Sequence, residues 1–138
     1  MKKMILYLLN VAVIIAVVFI CTALANGDKN VEFLNSFGWE VDERYIEKAQ
    51  ITIPAEFDEV YENYNKIQKS AGFDLEKYKG KAAVRYTYIV KNYPDDGKNE
   101  VRANVICVKG EPVGGDVMTV NLDGCMNPLN FLDTGIEK

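Results

Sequence analysis

The fold is decided by residues 83–120, which read AVRYTYIVKNYPDDGKNEVRANVICVKGEPVGGDVMTV. At the start of this stretch apolar and polar side chains alternate, and a period of two is typical of a β-strand with one buried face. The side chains on the apolar side are Val84, Tyr86, Tyr88 and Val90. Turn-forming residues interrupt the pattern at 94–97 and 110–112. The sequence therefore predicts three antiparallel strands, at residues 83–92, 101–109 and 113–120.

An amphipathic helix is predicted before these strands. Its apolar side chains recur at positions i, i+3, i+4, i+7 and i+10, which is one face of an α-helix. They are Phe57, Val60, Tyr61, Tyr64 and Ile67. Acidic residues at its start, lysines at its end and Gly72 after it suit a helix that ends there. We expect this helix to lie across the sheet with its apolar face down.

Shorter elements are predicted upstream and just downstream of that helix. Asp28 is a candidate cap for a helix through residues 31–37 that Gly38 would close. Strands are expected at 39–41 and at 45–53, where Pro54 ends the second, and a helical turn or ordered loop at 73–78. The predicted fold class is α+β: an antiparallel meander of three or more strands with one amphipathic helix packed across it, preceded by an N-terminal transmembrane or signal helix.

The N-terminal segment predicts export. Lys2 and Lys3 precede an apolar run from Met4 to Ala25, and a helix needs roughly 20 such residues to cross a bilayer. Its length favours an uncleaved anchor, whereas Ala23-Leu24-Ala25 suits cleavage after Ala25. Lipidation at Cys21 is disfavoured, because bulky residues precede that cysteine.

Both interpretations divide the chain into residues 1–25, a signal peptide or signal anchor, and residues 26–138, an extracytoplasmic α+β domain. We therefore expect the protein to lie in the cell membrane, which it crosses once with the C-terminal domain outside, or to be secreted after cleavage near Ala25. The N-terminal helix would then make contact with the membrane.

Composition argues against several functions. The chain has no histidine, which removes the usual general base at neutral pH and the commonest zinc ligand. It has 20 acidic and 16 basic residues, and two of the basic ones lie in the leader, so no nucleic-acid binding is expected. We predict that the protein is not an enzyme and has no catalytic, cofactor-binding or metal-binding residue.

Two further motifs are candidate binding sites. Gly114-Gly115-Asp116 could present backbone amides to a ligand, but glycines in a strand more often admit a bulge or a crossing helix, which we favour. Residues 95–100 are rich in side-chain oxygens, as calcium prefers, yet they lack EF-hand spacing, so an exposed turn is favoured.

Cysteines and aromatic residues leave further alternatives open. Cys107 and Cys125 could form a disulfide in an exported protein, although a buried thiol at Cys107 is equally sensible. Tyr86 and Tyr88 could belong to a sugar-stacking surface, but core packing is favoured for the tyrosines and for Trp39.

Several short motifs together resemble a bacterial family catalogued as domain of unknown function 4830. The motifs are Phe37-Gly38-Trp39-Glu40-Val41, Ile53-Pro54, Phe57-Asp58, Val60-Tyr61, Tyr64-Asn65, Gln68, Gly72, Asp74-Leu75, Tyr78-Lys79-Gly80-Lys81, Tyr86-Thr87-Tyr88, Asn92-Tyr93-Pro94, Ala103-Asn104-Val105, Val113-Gly114-Gly115-Asp116-Val117 and Leu122-Asp123-Gly124. The resemblance covers roughly residues 31–126 and implies a membrane-anchored or secreted protein of Gram-positive type. It implies no reaction, ligand or catalytic residue. By fold analogy alone, a helix on a meander also resembles cystatin-type and PepSY-type domains.

The function expected from the sequence is a non-catalytic extracytoplasmic module that binds a protein or the cell wall. One alternative is an inhibitor or accessory partner of an exported hydrolase. The other is a small enzyme that uses carboxylates or a metal, because a glycosidase needs only two carboxyl groups.

Overall fold

The structure, a computed structural model, describes residues 1–95 and 97–134, with the side chains of 17–28 and 134 outside the description. Its elements are α1 (Lys2–Ser36), β1 (Glu47–Thr52), α2 (Glu59–Ser70), a 3-10 turn (Leu75–Tyr78), β2 (Ala82–Ile89), β3 (Val101–Val108), β4 (Glu111–Thr119), β5 (Met126–Asn127) and α3 (Phe131–Thr134). The interpretations of Cys21, of Ala23-Leu24-Ala25, of Asp28 as a cap and of Asp96 in the acidic loop lie outside the described residues.

The five strands form one antiparallel sheet in chain order, β1-β2-β3-β4-β5. The three predicted strands appear as β2, β3 and β4, and the predicted strand 45–53 joins them as β1 at the edge of the sheet. The turn between β3 and β4 is tighter than predicted. Lys109 and Gly110 both have positive φ, at 51° and 76°, which is the pattern of a two-residue hairpin turn whose twist matches the strands. Pro112 consequently lies inside β4.

The sheet has a packed cluster on each face. Because strand side chains alternate, Ala103 and Val105 face the end of α1, where Leu34 and Trp39 are fully buried. The other face carries Ile106, which packs with Ile53 and Leu75 beneath α2. The sheet is therefore the middle layer of the domain.

The buried face of α2 differs from the predicted one. Val60 was expected in the apolar face but is 77% exposed, so that part of the prediction is wrong. Asn65 and Gln68 are buried instead, and together with Tyr61 and Tyr64 they complete an i, i+3, i+4, i+7 face. The physical reason is hydrogen bonding: Asn65 bonds with Leu75 and Asp74, and Gln68 Oε1 accepts from Gly115, while Gln68 Nε2 has no partner among the described residues.

The predicted N-terminal transmembrane or signal helix is wrong as an element of the fold. In the described parts of the chain, no helix is long and apolar enough to cross a membrane. In α1, Lys29 forms an ion pair with Glu111, and Leu34 packs into the domain.

Two smaller predictions also change. The helix expected at 31–37 is the end of α1, and Gly38 follows it with φ at +88°, as predicted for a closing glycine. The strand expected at 39–41 is reduced to one isolated bridge between Val41 and Val90.

Candidate functional site: the Asp116 pocket

A row of three polar side chains crosses the middle of the sheet. Thr87, Asn104 and Asp116 are direct neighbours in the registers of β2, β3 and β4, and all three are buried. The Thr87 hydroxyl donates to Asn104 Oδ1 at 2.7 Å, and Asn104 Nδ2 donates to Asp116 Oδ1 at 3.0 Å. The row is thus a continuous hydrogen-bonded chain on the α2 side of the sheet.

Helix α2, which packs on this face of the sheet, contributes two side-chain hydrogen bonds to β4. The Tyr64 hydroxyl donates to Asp116 Oδ2 at 2.8 Å, so both oxygens of the carboxyl group accept a hydrogen bond. One helical turn later, Gln68 Oε1 accepts from the backbone N–H of Gly115 at 2.8 Å. The helix is therefore fixed to β4 by two side chains that point at neighbouring residues.

The two glycines lie in close contact with different neighbours, Gly114 with α2 and Gly115 with the adjacent strand β3. A Cβ at Gly114 would lie 2.6 Å from Gln68 Oε1, and one at Gly115 would lie 2.3 Å from the backbone oxygen of Asn104. At Gly115 the close atom belongs to the backbone, so only glycine fits there, whereas at Gly114 the close atom is the end of the Gln68 side chain, which would have to move. The prediction of a crossing helix is therefore confirmed at Gly114, and the predicted bulge appears as a register shift between Ile106 and Cys107, which pair with Gly114 and Pro112.

Beside this network is a cavity of about 440 Å³, which we name the Asp116 pocket. It is lined by Ile51, Thr52, Tyr61, Tyr64, Arg85, Asn104, Ile106, Asp116, Met118 and Met126. The lining combines aliphatic and aromatic side chains with a polar group around Asp116, formed by Tyr64, Asn104 and Arg85. Arg85 is partly exposed, and its Nη2 donates to Glu47 Oε1 at 2.7 Å.

The pocket environment raises the pKa values of three lining groups: Tyr61, through burial, and Tyr64 and Asp116. Burial raises the pKa of Asp116, while hydrogen bonds from Asn104 and Tyr64 and the charge of Arg85 oppose that rise. Burial and the neighbouring Asp116 raise the pKa of Tyr64 well above its usual range. The tyrosine is therefore a fixed hydrogen-bond donor, and the carboxyl group resists losing its proton more than an exposed aspartic acid does.

The two cysteines are separate in the structure. Both Cys107 and Cys125 are free, the first buried and the second exposed. Cys107 pairs with Pro112 near the start of β4, whereas the Cys125 backbone N–H donates to Thr119 Oγ1 at the other end of that strand. The disulfide alternative is wrong, because the length of β4 separates the two thiols. Cys107 Sγ instead donates to Asn30 Oδ1 at 3.3 Å.

The other candidate sites from the sequence are a turn and packed aromatic side chains. Asp95 accepts from the backbone N–H groups of Gly97 and Asn99, as in an ordinary turn, and the described residues contain no group of three potential metal ligands. Trp39 is fully buried and its Nε1 donates to Leu129 O at 2.7 Å. Core packing of Trp39 is therefore confirmed. Tyr88 is also buried, whereas Tyr86 is half-buried and makes an edge contact with Tyr45.

Sequence reasoning missed three residues of this site: Thr87, Asn104 and Arg85. Each occupies the α2-facing side of an alternating strand, where a fully packed sheet would carry apolar residues. The sequence therefore did contain a signal for this site, namely polar residues at strand positions that face the core. It becomes specific only once the register is known, because the register places Thr87 and Asn104 beside Asp116.

These features define a small α+β domain in which a buried polar network and a pocket lie between a helix and a five-stranded antiparallel sheet. The family model described as Domain of unknown function (DUF4830) matches residues 33–117, more than half of the chain. The chain therefore belongs to this family, as the sequence motifs suggested. The matched range includes Tyr64, Arg85, Asn104 and Asp116. Comparison with curated proteins and with solved structures gives no match.

Proposed function

We propose that residues 26–138 form a non-catalytic binding domain that recognises a protein or cell-wall partner outside the cytoplasm. The observation that carries this proposal is the Asp116 pocket. Binding sites are typically concave and mostly apolar, with a few fixed polar groups that orient the ligand. A cavity of about 440 Å³ with an apolar wall and a hydrogen-bonded polar floor has these properties.

The positions of the acidic groups favour binding over hydrolysis. Both oxygens of Asp116 accept hydrogen bonds from neighbours. Glu47 lies in the same cross-strand row but on β1, three strands away. At about 4.8 Å per strand the two backbone positions are roughly 14 Å apart, whereas the carboxyl groups of glycosidases lie about 5–9.5 Å apart.

The proposal is tested by capture of a partner on purified protein, using variants at the mouth of the pocket. Met126, on β5, lines the pocket, and Leu122, in the turn before β5, lies outside the pocket and is fully exposed. We expect a reproducible partner from surface extracts of the native host to be captured by the wild type and by L122E but not by M126E. Equal capture by M126E, or no reproducible partner, would contradict the proposal.

The location outside the cytoplasm is tested separately. Supporting this part of the proposal is the apolar N-terminal segment that ends near Ala25. Intact-mass analysis of the culture fluid, combined with surface protease treatment of whole cells, measures where the domain resides. A species starting at Asn26 in the fluid, or a domain digested on intact cells, supports export. A protease-resistant domain found only inside the cells would exclude it.

A further inference from the structure

One side chain that lines the Asp116 pocket carries an unused hydrogen-bond donor. Arg85 Nε is buried and has no hydrogen-bond partner among the described residues, although Nη2 of the same side chain binds Glu47. A buried donor without a partner costs free energy, most of all when it is charged. A ligand that places an acceptor at Arg85 Nε removes this cost.

Acceptor capacity remains at the floor of the same pocket. Each oxygen of Asp116 accepts one hydrogen bond, from Tyr64 or from Asn104, and a carboxyl oxygen has two lone pairs. The Tyr64 oxygen donates its proton to Asp116 and can itself still accept. The pocket therefore offers a donor on one wall and acceptors on its floor.

The charges on these groups select against a charged ligand. A cation that approaches Asp116 meets the guanidinium of Arg85, which is close enough to influence Asp116 electrostatically. An anion that approaches Arg85 meets Glu47, which is already paired with it, and the carboxyl group of Asp116. A neutral group that accepts at one atom and donates at the next satisfies both sides without bringing a charge into a mostly apolar cavity.

We propose that the Asp116 pocket binds an uncharged carboxamide on an apolar body, with its carbonyl oxygen toward Arg85 Nε and its N–H toward Asp116. The apolar body packs against Ile106, Met118 and Met126. This is the chemistry of a peptide bond beside an apolar side chain. The inference rests on the proposed function and specifies the part of the partner that enters the pocket.

The methionine methyl groups provide a direct measurement of binding. The chain has four methionines: Met118 and Met126 line the pocket, while Met1 and Met4 lie at the exposed start of α1. In protein labelled at the methionine methyl carbons, titration with N-acetyl-L-leucinamide is expected to shift the NMR signals of Met118 and Met126 and to leave those of Met1 and Met4 unchanged.

Two charged analogues with the same apolar body test the ligand class. N-acetyl-L-leucine carries a negative charge and L-leucinamide a positive one, and we expect each to bind at least about tenfold more weakly than the neutral amide. Tighter binding of either analogue would overturn the proposal, as would the absence of any shift up to the solubility limit of the neutral amide. The D enantiomer distinguishes the source: preference for L indicates a protein segment, and preference for D indicates a wall peptide.

Arg85 has a matched control in Arg102, another strand arginine paired with a glutamate and outside the pocket lining. R85Q is expected to weaken binding of the neutral amide about tenfold, and R102Q to leave it unchanged. R85K keeps the positive charge but lacks the Nε–H group, so we expect it to weaken binding of the neutral amide as R85Q does. If R85Q does not fold, R85K provides the same test. Equal affinity for wild type, R85Q and R85K would overturn the role of Arg85. If M126E still abolishes partner capture in that case, the binding function stands and only the ligand assignment fails.

Discussion

Asp116 combines burial with a hydrogen-bond donor at each of its two oxygens, and these two influences on its pKa oppose each other. Only 1% of its surface is exposed, which disfavours the charged form. Tyr64 and Asn104 donate to it and Arg85 lies nearby, which favours the charged form. Burial is the larger influence, so the pKa of Asp116 is raised. Its ionisation is therefore coupled to the stability of the domain.

The substitution D116N tests this coupling. Because the folded-state pKa is raised above the unfolded value, the folded state holds the proton more tightly, and stability should fall as pH rises from about 4 through the raised pKa. The asparagine side chain introduced by D116N is uncharged, and it can still accept from Asn104 while donating to the Tyr64 oxygen. We expect urea unfolding to show that the wild type loses stability relative to D116N over this pH range. A difference that is constant with pH would contradict the prediction.

The two cysteines of the domain should differ in reactivity. Burial and the charge of Glu111 raise the pKa of Cys107 to about 11. A hydrogen bond with Thr119, followed by those with Tyr93 and Asn127, lowers the pKa of the exposed Cys125. Since the thiolate is the reactive form, we expect iodoacetamide at pH 8 to modify Cys125 at least about 100-fold faster than Cys107. Peptide mapping of the C21S variant measures both modification rates. As a control, we expect the two cysteines to be modified at equal rates when the protein is unfolded in urea.

At the scale of elements, the sequence was most informative where one pattern determined one element. The alternation in Tyr86-Thr87-Tyr88 and the turn-forming residues at 94–97 and 110–112 were sufficient to predict the central strands, although the second turn proved to be at Lys109-Gly110. The helical spacing of Tyr61 and Tyr64 likewise predicted α2. Its orientation could not be predicted, because it depends on Asn65 and Gln68, whose partners Leu75 and Gly115 are identified only by the packed structure. The pocket was unpredictable for the same reason.

Asn65 connects α2 to the 3-10 turn that follows it. Its Oδ1 accepts from the Leu75 backbone N–H at 2.8 Å, and its Nδ2 donates to Asp74 Oδ1 at 3.0 Å. N65A leaves the buried Leu75 N–H without this partner, and we expect it to lower the free energy of unfolding by about 2 kcal/mol.

Asn63 provides the matched control on the same helix, because it is exposed and interacts only with Lys66 among the contacts described for it. N63A is expected to change the free energy of unfolding by less than about 0.5 kcal/mol. Thermal or urea unfolding of the two variants measures the contrast. Similar losses for N65A and N63A would show that the amide of Asn65 does not hold the turn in place.

At the scale of the whole molecule, the sheet depends on cover from both sides. The end of α1 covers the face opposite α2: Leu34 is fully buried there, and Phe33 contacts Phe73 at a ring distance of 5.6 Å. Asn30, upstream of the matched family range, bonds Cys107. The folding unit therefore begins before residue 33 and includes the last turns of α1.

This boundary predicts the outcome of two truncations. A chain starting at Asn26 keeps Asn30, Leu34 and the Lys29–Glu111 ion pair, so we expect its melting temperature to stay within a few degrees of that of the full chain. A chain starting at Trp39 uncovers one face of the sheet and loses the fully buried Leu34. Since removal of one buried leucine side chain costs about 2–5 kcal/mol, we expect that chain to be unfolded or to melt far below the longer one. Circular dichroism melting of both chains measures the difference. Equal stability of the chains starting at Trp39 and at Asn26 would contradict this prediction. It would show that the sheet and its pocket side fold without the end of α1.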